Sequence, residues 1–140
     1  MERIRVLAAG AAIGFVAGLC APVAFVAALV RNETAEWSML TNPTLVPYWA
    51  QLVVLATVNG AFGAWDGWRS GLRRARRVVW APALLFLWPA TEWAQNPSDS
   101  KTWGGVLLVV AILAPFVWLG GRIGQEIGAR AARTRRKSSP

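Results

Sequence analysis

The sequence has no histidine, a single cysteine and only seven acidic residues in 140. Each shortage removes a class of chemistry. Without histidine there is no imidazole for acid–base work near neutral pH or for metal ligation. With Cys20 alone, neither a disulfide framework nor a cysteine-based metal site can form within one chain. Cys20 stands between Leu19 and Ala21 with no charged neighbour, and reads as an inert small apolar residue. No pair of carboxylates stands in register, so no catalytic residue, metal or cofactor is expected.

Charge as a whole is also scarce. Only 16% of the residues are charged and 55% are hydrophobic, against roughly a quarter charged in a soluble domain. The solvent around the protein has to account for that deficit. A helix needs roughly 20 mostly apolar residues to cross a hydrocarbon core about 30 Å thick. Four apolar stretches come near this length, at about 6–30, 48–65, 78–93 and 102–121. The first follows Arg3 and Arg5 and is free of charge throughout. It is longer than the roughly 7–15 apolar residues of a secretory signal, so it reads as a retained helix. Pro22 falls inside it, as Pro82 and Pro89 fall inside the third stretch, and membrane helices tolerate proline. The expected fold is all-α: a four-transmembrane-helix bundle in a single membrane domain, 1–140, with a basic tail over 122–140.

The polar connections have their own signals. Residues 31–47 contain Asn42-Pro43 and Pro47 and read as a loop, in which Thr34 is a candidate cap for a short surface turn through Leu40. Residues 66–77 form a basic loop and 94–101 a turn around Pro97. Asp66-Gly67 with its following arginines resembles the opening of the CDP-alcohol phosphotransferase motif. The further carboxylates that would hold that family's divalent metal are missing from the loop, so its chemistry is excluded.

Basic residues supply the orientation. Thirteen of the fifteen fall in the N-terminal segment, the 66–77 loop and the tail, leaving only Arg31 and Lys101 on the opposite side. Lysine and arginine accumulate in cytoplasmic segments, so both termini are expected in the cytoplasm and the chain in the cell inner (plasma) membrane. The nine tryptophans fall near span boundaries, where indoles anchor at headgroup level. The net charge of +8 is therefore read as membrane topology, and nucleic acid is not an expected partner. Arg73, Arg74, Arg76 and Arg77, with Arg133, Arg135, Arg136 and Lys137, are the candidate contacts for anionic lipid or an acidic partner.

Small residues recur every four positions. Gly10, Gly14 and Gly18 form one stripe, Ala56, Gly60 and Ala64 a second, and Gly120, Gly124 and Gly128 a third. Residues four apart share a helix face, and small ones let backbones approach closely in lipid. The stripes are read first as packing within the chain, and they leave room for a contact between chains, so a homo- or hetero-oligomer is expected. Asn59, Thr57, Gln51 and Glu92 are the candidate pore or interhelical polar groups. The expected function is a non-enzymatic subunit or accessory component of a membrane assembly. The alternative is a small homo-oligomeric channel or transporter for an ion or small solute.

Overall fold

A computed structural model describes residues 2–33, 35–70 and 100–138, with side chains for 111–135 and 137 in the last segment. Helix α1 spans Glu2–Arg31, with an acid in its first turn and a base in its last, both favourable to the helix dipole. Pro22 lies inside it and is buried. The helix stops where Glu33 turns left-handed (φ 57°). Around that reversal the Asn32 and Glu33 N–H groups donate to the Leu29 and Val30 carbonyls, and Asn32 Nδ2 donates to the Ala28 carbonyl at 2.9 Å. These bonds satisfy carbonyls that a helix end otherwise leaves open.

A short 3-10 helix, Trp37–Thr41, follows. The residue preceding it is Glu36, in extended conformation and without a side-chain capping bond. Thr34, the cap expected from sequence, lies outside the described residues. Asn42 then accepts from both the N–H (3.0 Å) and the hydroxyl (2.7 Å) of Thr44, a local turn that sends the chain into α2, Val46–Ser70. Helix α3 spans Ser100–Ser138.

The facing residues set the directions. Gly10 meets Gly60 and Ala64 while Gly18 meets Val53, so α1 and α2 are antiparallel. Gly60 meets Gly124 while Gly67 meets Ala129, so α2 and α3 are parallel. The start of α1 and the last turns of α2 and α3 therefore gather at one end. Toward the other end the core widens into Ala21, Phe25, Val26, Leu52, Ala56, Leu113 and Val117, with Met39, Leu40 and Trp49 packed against them. Phe25 and Trp49 stack tilted at 6.1 Å.

One expectation needs correction. The chain is all-α, but a four-span bundle is not what folds. Among the described residues there are three long helices, and only α1 is long and apolar enough to cross a membrane. Helix α2 falls short because Gln51, Thr57 and Asn59 interrupt its apolar run and glycine and tryptophan contribute little hydropathy. In α3 the described side chains lead from an apolar stretch into a charged one. The stretch at 78–93 lies outside the described residues. Helix α3 continues past Gly121 to Ser138, through the basic stretch. Its Gly124, Gly128 and Ala129 remain against α2, and alanine and arginine are strong helix formers, so packing and propensity agree.

Candidate functional site

The seam between the helices is made almost entirely of backbone and methyl groups. A Cβ placed on Gly14 would run into the Ala56 carbonyl, and one on Gly60 into the Gly10 carbonyl. On the other side of α2, Gly63 and Gly67 face the Gly121 and Gln125 carbonyls, and Gly124 and Gly128 face those of Gly60 and Ala64. All three stripes thus meet inside one chain, with α2 in contact on two sides. Gly120 is looser, since its nearest neighbours, Ala17 Cβ and Gly14 Cα, would lie 3.3 Å from an added Cβ.

Polar bridges interrupt the seam at two levels. Asn59, buried on α2, donates from Nδ2 to the Val117 carbonyl of α3 at 2.8 Å. Nearer the basic end, Gln125 is fully buried and links Asp66 to Arg122. Its Nε2 donates to Asp66 Oδ2 at 3.3 Å, and its Oε1 accepts from Arg122 Nη1 at 2.9 Å. A buried amide needs partners on both its oxygen and its nitrogen, and this one has them. The Arg122 guanidinium also lies 5.8 Å from the Trp118 ring centre.

At the basic end the Trp68 indole collects two arginines from opposite ends of the sequence. Arg3 lies over it at 4.7 Å and Arg135 at 5.8 Å. The Trp68 Nε1 is buried and meets no hydrogen-bond acceptor among the described residues. Arg130 pairs weakly with Glu126 at 3.9 Å and is largely exposed.

The outer faces are apolar. Phe15, Val16, Leu19 and Val23 on α1 are exposed, as are Val54, Val58, Phe62 and Trp65 on α2, and Trp118, Leu119 and Ile123 on α3. Val54 keeps 62% of its surface and Val58 59%. These exposures belong to a contiguous i, i+4 stripe on α2 rather than to scattered residues, and a stripe needs an explanation that scattered ones do not.

The residues singled out from sequence are not gathered into one site. Gly10, Gly14, Gly18, Ala56, Gly60 and Ala64 line the seam. Asn59 bridges it. The Thr57 hydroxyl donates to its own helix at the Val53 carbonyl, 2.6 Å, and Gln51 is exposed. Arg133, Arg135 and Lys137 are exposed on α3. Arg73, Arg74, Arg76, Arg77 and Glu92 lie outside the described residues, as does the Arg136 side chain. Gln125, Asp66 and Arg122 were not read as a unit. The available signal was Gly121-x3-Gln125-x3-Ala129, which puts the amide on the same face as small residues and so in a buried seam. Among the described residues no three His, Cys, Asp or Glu side chains come together as a metal site would require.

Comparison with protein-family models, with curated proteins and with solved structures finds no match.

Proposed function

We propose that the chain is an integral membrane protein acting as a non-enzymatic structural subunit of a membrane assembly. One observation carries the reading: residue size is inverted relative to a water-soluble bundle. Along the seam glycine and alanine fill the interior while Phe15, Val54, Phe62, Trp65 and Trp118 stand outside, and larger side chains such as Phe25, Leu52 and Val117 are buried mainly toward the other end. In water, exposed apolar stripes of this kind drive association. In hydrocarbon they cost nothing, and close backbone packing becomes what holds helices together.

Helix α1 is the element assigned to crossing the bilayer, and α2 and α3 pack along it. The end holding Arg3, Arg5, Arg69, Arg133, Arg135 and Lys137 is assigned to the cytoplasmic face of the inner membrane, and Arg31 to the opposite face. Anionic lipids are the proposed partners at the basic end, and a second chain on the apolar faces completes the assembly. The channel reading has less support. Asn59 and Thr57 each donate to a helix carbonyl instead of facing a common path.

The test is fractionation of the tagged full chain, followed by native mass spectrometry of the gently extracted protein. Retention in alkali-washed membranes together with a reproducible complex containing another chain supports the proposal. Release from the membrane overturns it, and a pure homo-oligomer of one mass overturns the subunit role.

A further inference from the structure

We infer that the outer face of the α3 end, carrying Arg130, Arg133 and Lys137, is a docking surface for an acidic protein segment on the cytoplasmic side of the membrane. The inference rests on the membrane reading above and adds a partner beyond its lipids. Gly10 of α1 and Gly124 of α3 both face Gly60 and Ala64 of α2, so these residues share one level of the bundle. Counted from that level, α1 and α2 reach their ends at Glu2 and Ser70 together, near Ala132, while α3 runs on to Ser138.

The rotation of α3 decides which side chains point outward. Gly121, Gly124, Gln125 and Gly128 lie against α2. At about 3.6 residues per turn, Arg130, Arg133 and Lys137 fall roughly half a turn away and share one face. All three are exposed, and the Arg130 side chain keeps 77% of its surface. Arg135 points to the opposite side, where it lies 5.8 Å from the Trp68 ring centre. It takes no part in the surface. Its contact holds the end of the helix to α2 and so fixes the outward face.

Charge and height together select the partner. No acid follows Glu126 in the chain, and Glu126 reaches Arg130 only at 3.9 Å. Arg133 and Lys137 stand four apart, where like charges repel. A row of carboxylates on a partner offsets that repulsion. In the membrane reading the hydrocarbon ends where the charge-free run of α1 begins, at Val6, level with Gly128. The headgroup layer adds about 5–8 Å on each side. At about 1.5 Å per residue, Arg130 lies within that layer, Arg133 at its outer edge and Lys137 about 13 Å from the hydrocarbon, beyond it. A stripe that rises out of the headgroups fits a protein lying on the membrane better than it fits lipid.

The test places the full chain in phosphatidylcholine nanodiscs and titrates it with a fluorescein-labelled oligoglutamate peptide, read by anisotropy. The parent should bind. Arg133→Gln combined with Lys137→Gln should weaken binding about fivefold, the loss of two exposed ion pairs. Arg5→Gln combined with Arg69→Gln removes the same charge from the same end but away from the stripe, and should stay within about twofold of the parent. No binding by the parent, or an equal loss in the two double variants, overturns the surface. Phosphatidylglycerol is then added to the discs. Binding that persists with the same dependence on Arg133 and Lys137 supports a protein partner. Binding that disappears gives the stripe to lipid headgroups and overturns the proposal. Oligothymidylate bound more tightly than the peptide, with the same dependence, overturns it in favour of nucleic acid. The membrane reading is scored separately by retention in alkali-washed membranes. A chain retained there that ignores the peptide loses only this surface.

Discussion

Asn59 of α2 donates to the Val117 carbonyl of α3 at 2.8 Å, a side-chain bond that ties these helices in the middle of the bundle. Below it the helices touch through glycine, and above it through leucine, valine and phenylalanine. The amide thus sits where packing changes from backbone contact to side-chain contact. Asn59→Ala removes the donor and leaves a small gap. It should destabilise the fold by about 1 kcal/mol, within the range measured for interhelical polar contacts in membranes. Unfolding of the detergent-solubilised variant measures this, and a change below about 0.3 kcal/mol, less than half that range's average, would show the bond to be dispensable.

The glycines divide into two groups with opposite expectations. Gly14→Ala, Gly63→Ala and Gly128→Ala each push a methyl into a facing carbonyl. Overpacking of this kind costs about 1–3 kcal/mol. Gly120→Ala meets only contacts of 3.3 Å and gains helix propensity worth up to about 1 kcal/mol. The contact needs a shift of a few tenths of an ångström against Ala17 Cβ and the Gly14 backbone, which offsets that gain, so this variant should lie near neutral and well below the losses at the other three positions. Thermal unfolding of the four variants checks the ranking, and equal losses at all four positions would contradict this geometry.

Gln125 accepts from Arg122 and donates to Asp66. Gln125→Glu keeps the shape and replaces the donor with a carboxylate facing another carboxylate. It should destabilise by about 1–3 kcal/mol, the cost of an unmatched buried polar group. Asp66→Asn on the same background restores a donor and should recover part of the loss. A double-mutant cycle reads the coupling, and strictly additive losses would mean that Gln125 and Asp66 do not interact.

The helical tail gives a separate test by hydrogen exchange. Amides of residues 122–132 lie in a helix whose Gly124, Gly128 and Ala129 are packed on α2. They should exchange slowly, with protection close to that of the α2 seam. Truncation after residue 121 should destabilise the chain, because it strips the cover from Ala64, Gly67 and Trp68. Rapid exchange across the whole segment would mean that the tail is frayed in solution.

Much of the seam was legible in the sequence. A glycine or alanine every fourth residue marks a face, and all three marked faces are in contact. Which faces meet was not legible, because the spacing is the same in each stripe and carries no partner information. The number of spans was over-read. Apolar length was counted without weighing Gln51 and Asn59, or the low hydropathy of the glycines that make the seam. The tail was read by its charge, although Gly124, Gly128 and Ala129 continue the packing face through it. Arg3 and Arg135 stand at opposite ends of the sequence, and no local pattern brings them to Trp68.

The native Cys20 allows the most direct measurement of what surrounds the bundle. It is exposed on α1, beside Leu19 and Val23 on the apolar outer face. A nitroxide attached there, with the purified full chain in liposomes, reports its surroundings through collisions with oxygen, which enters hydrocarbon, and with a water-soluble nickel chelate, which does not. If α1 crosses the bilayer with this face toward lipid, oxygen should relax the label strongly and the chelate barely at all. A label reached as readily by the chelate as by oxygen would place Cys20 in water and contradict the membrane reading.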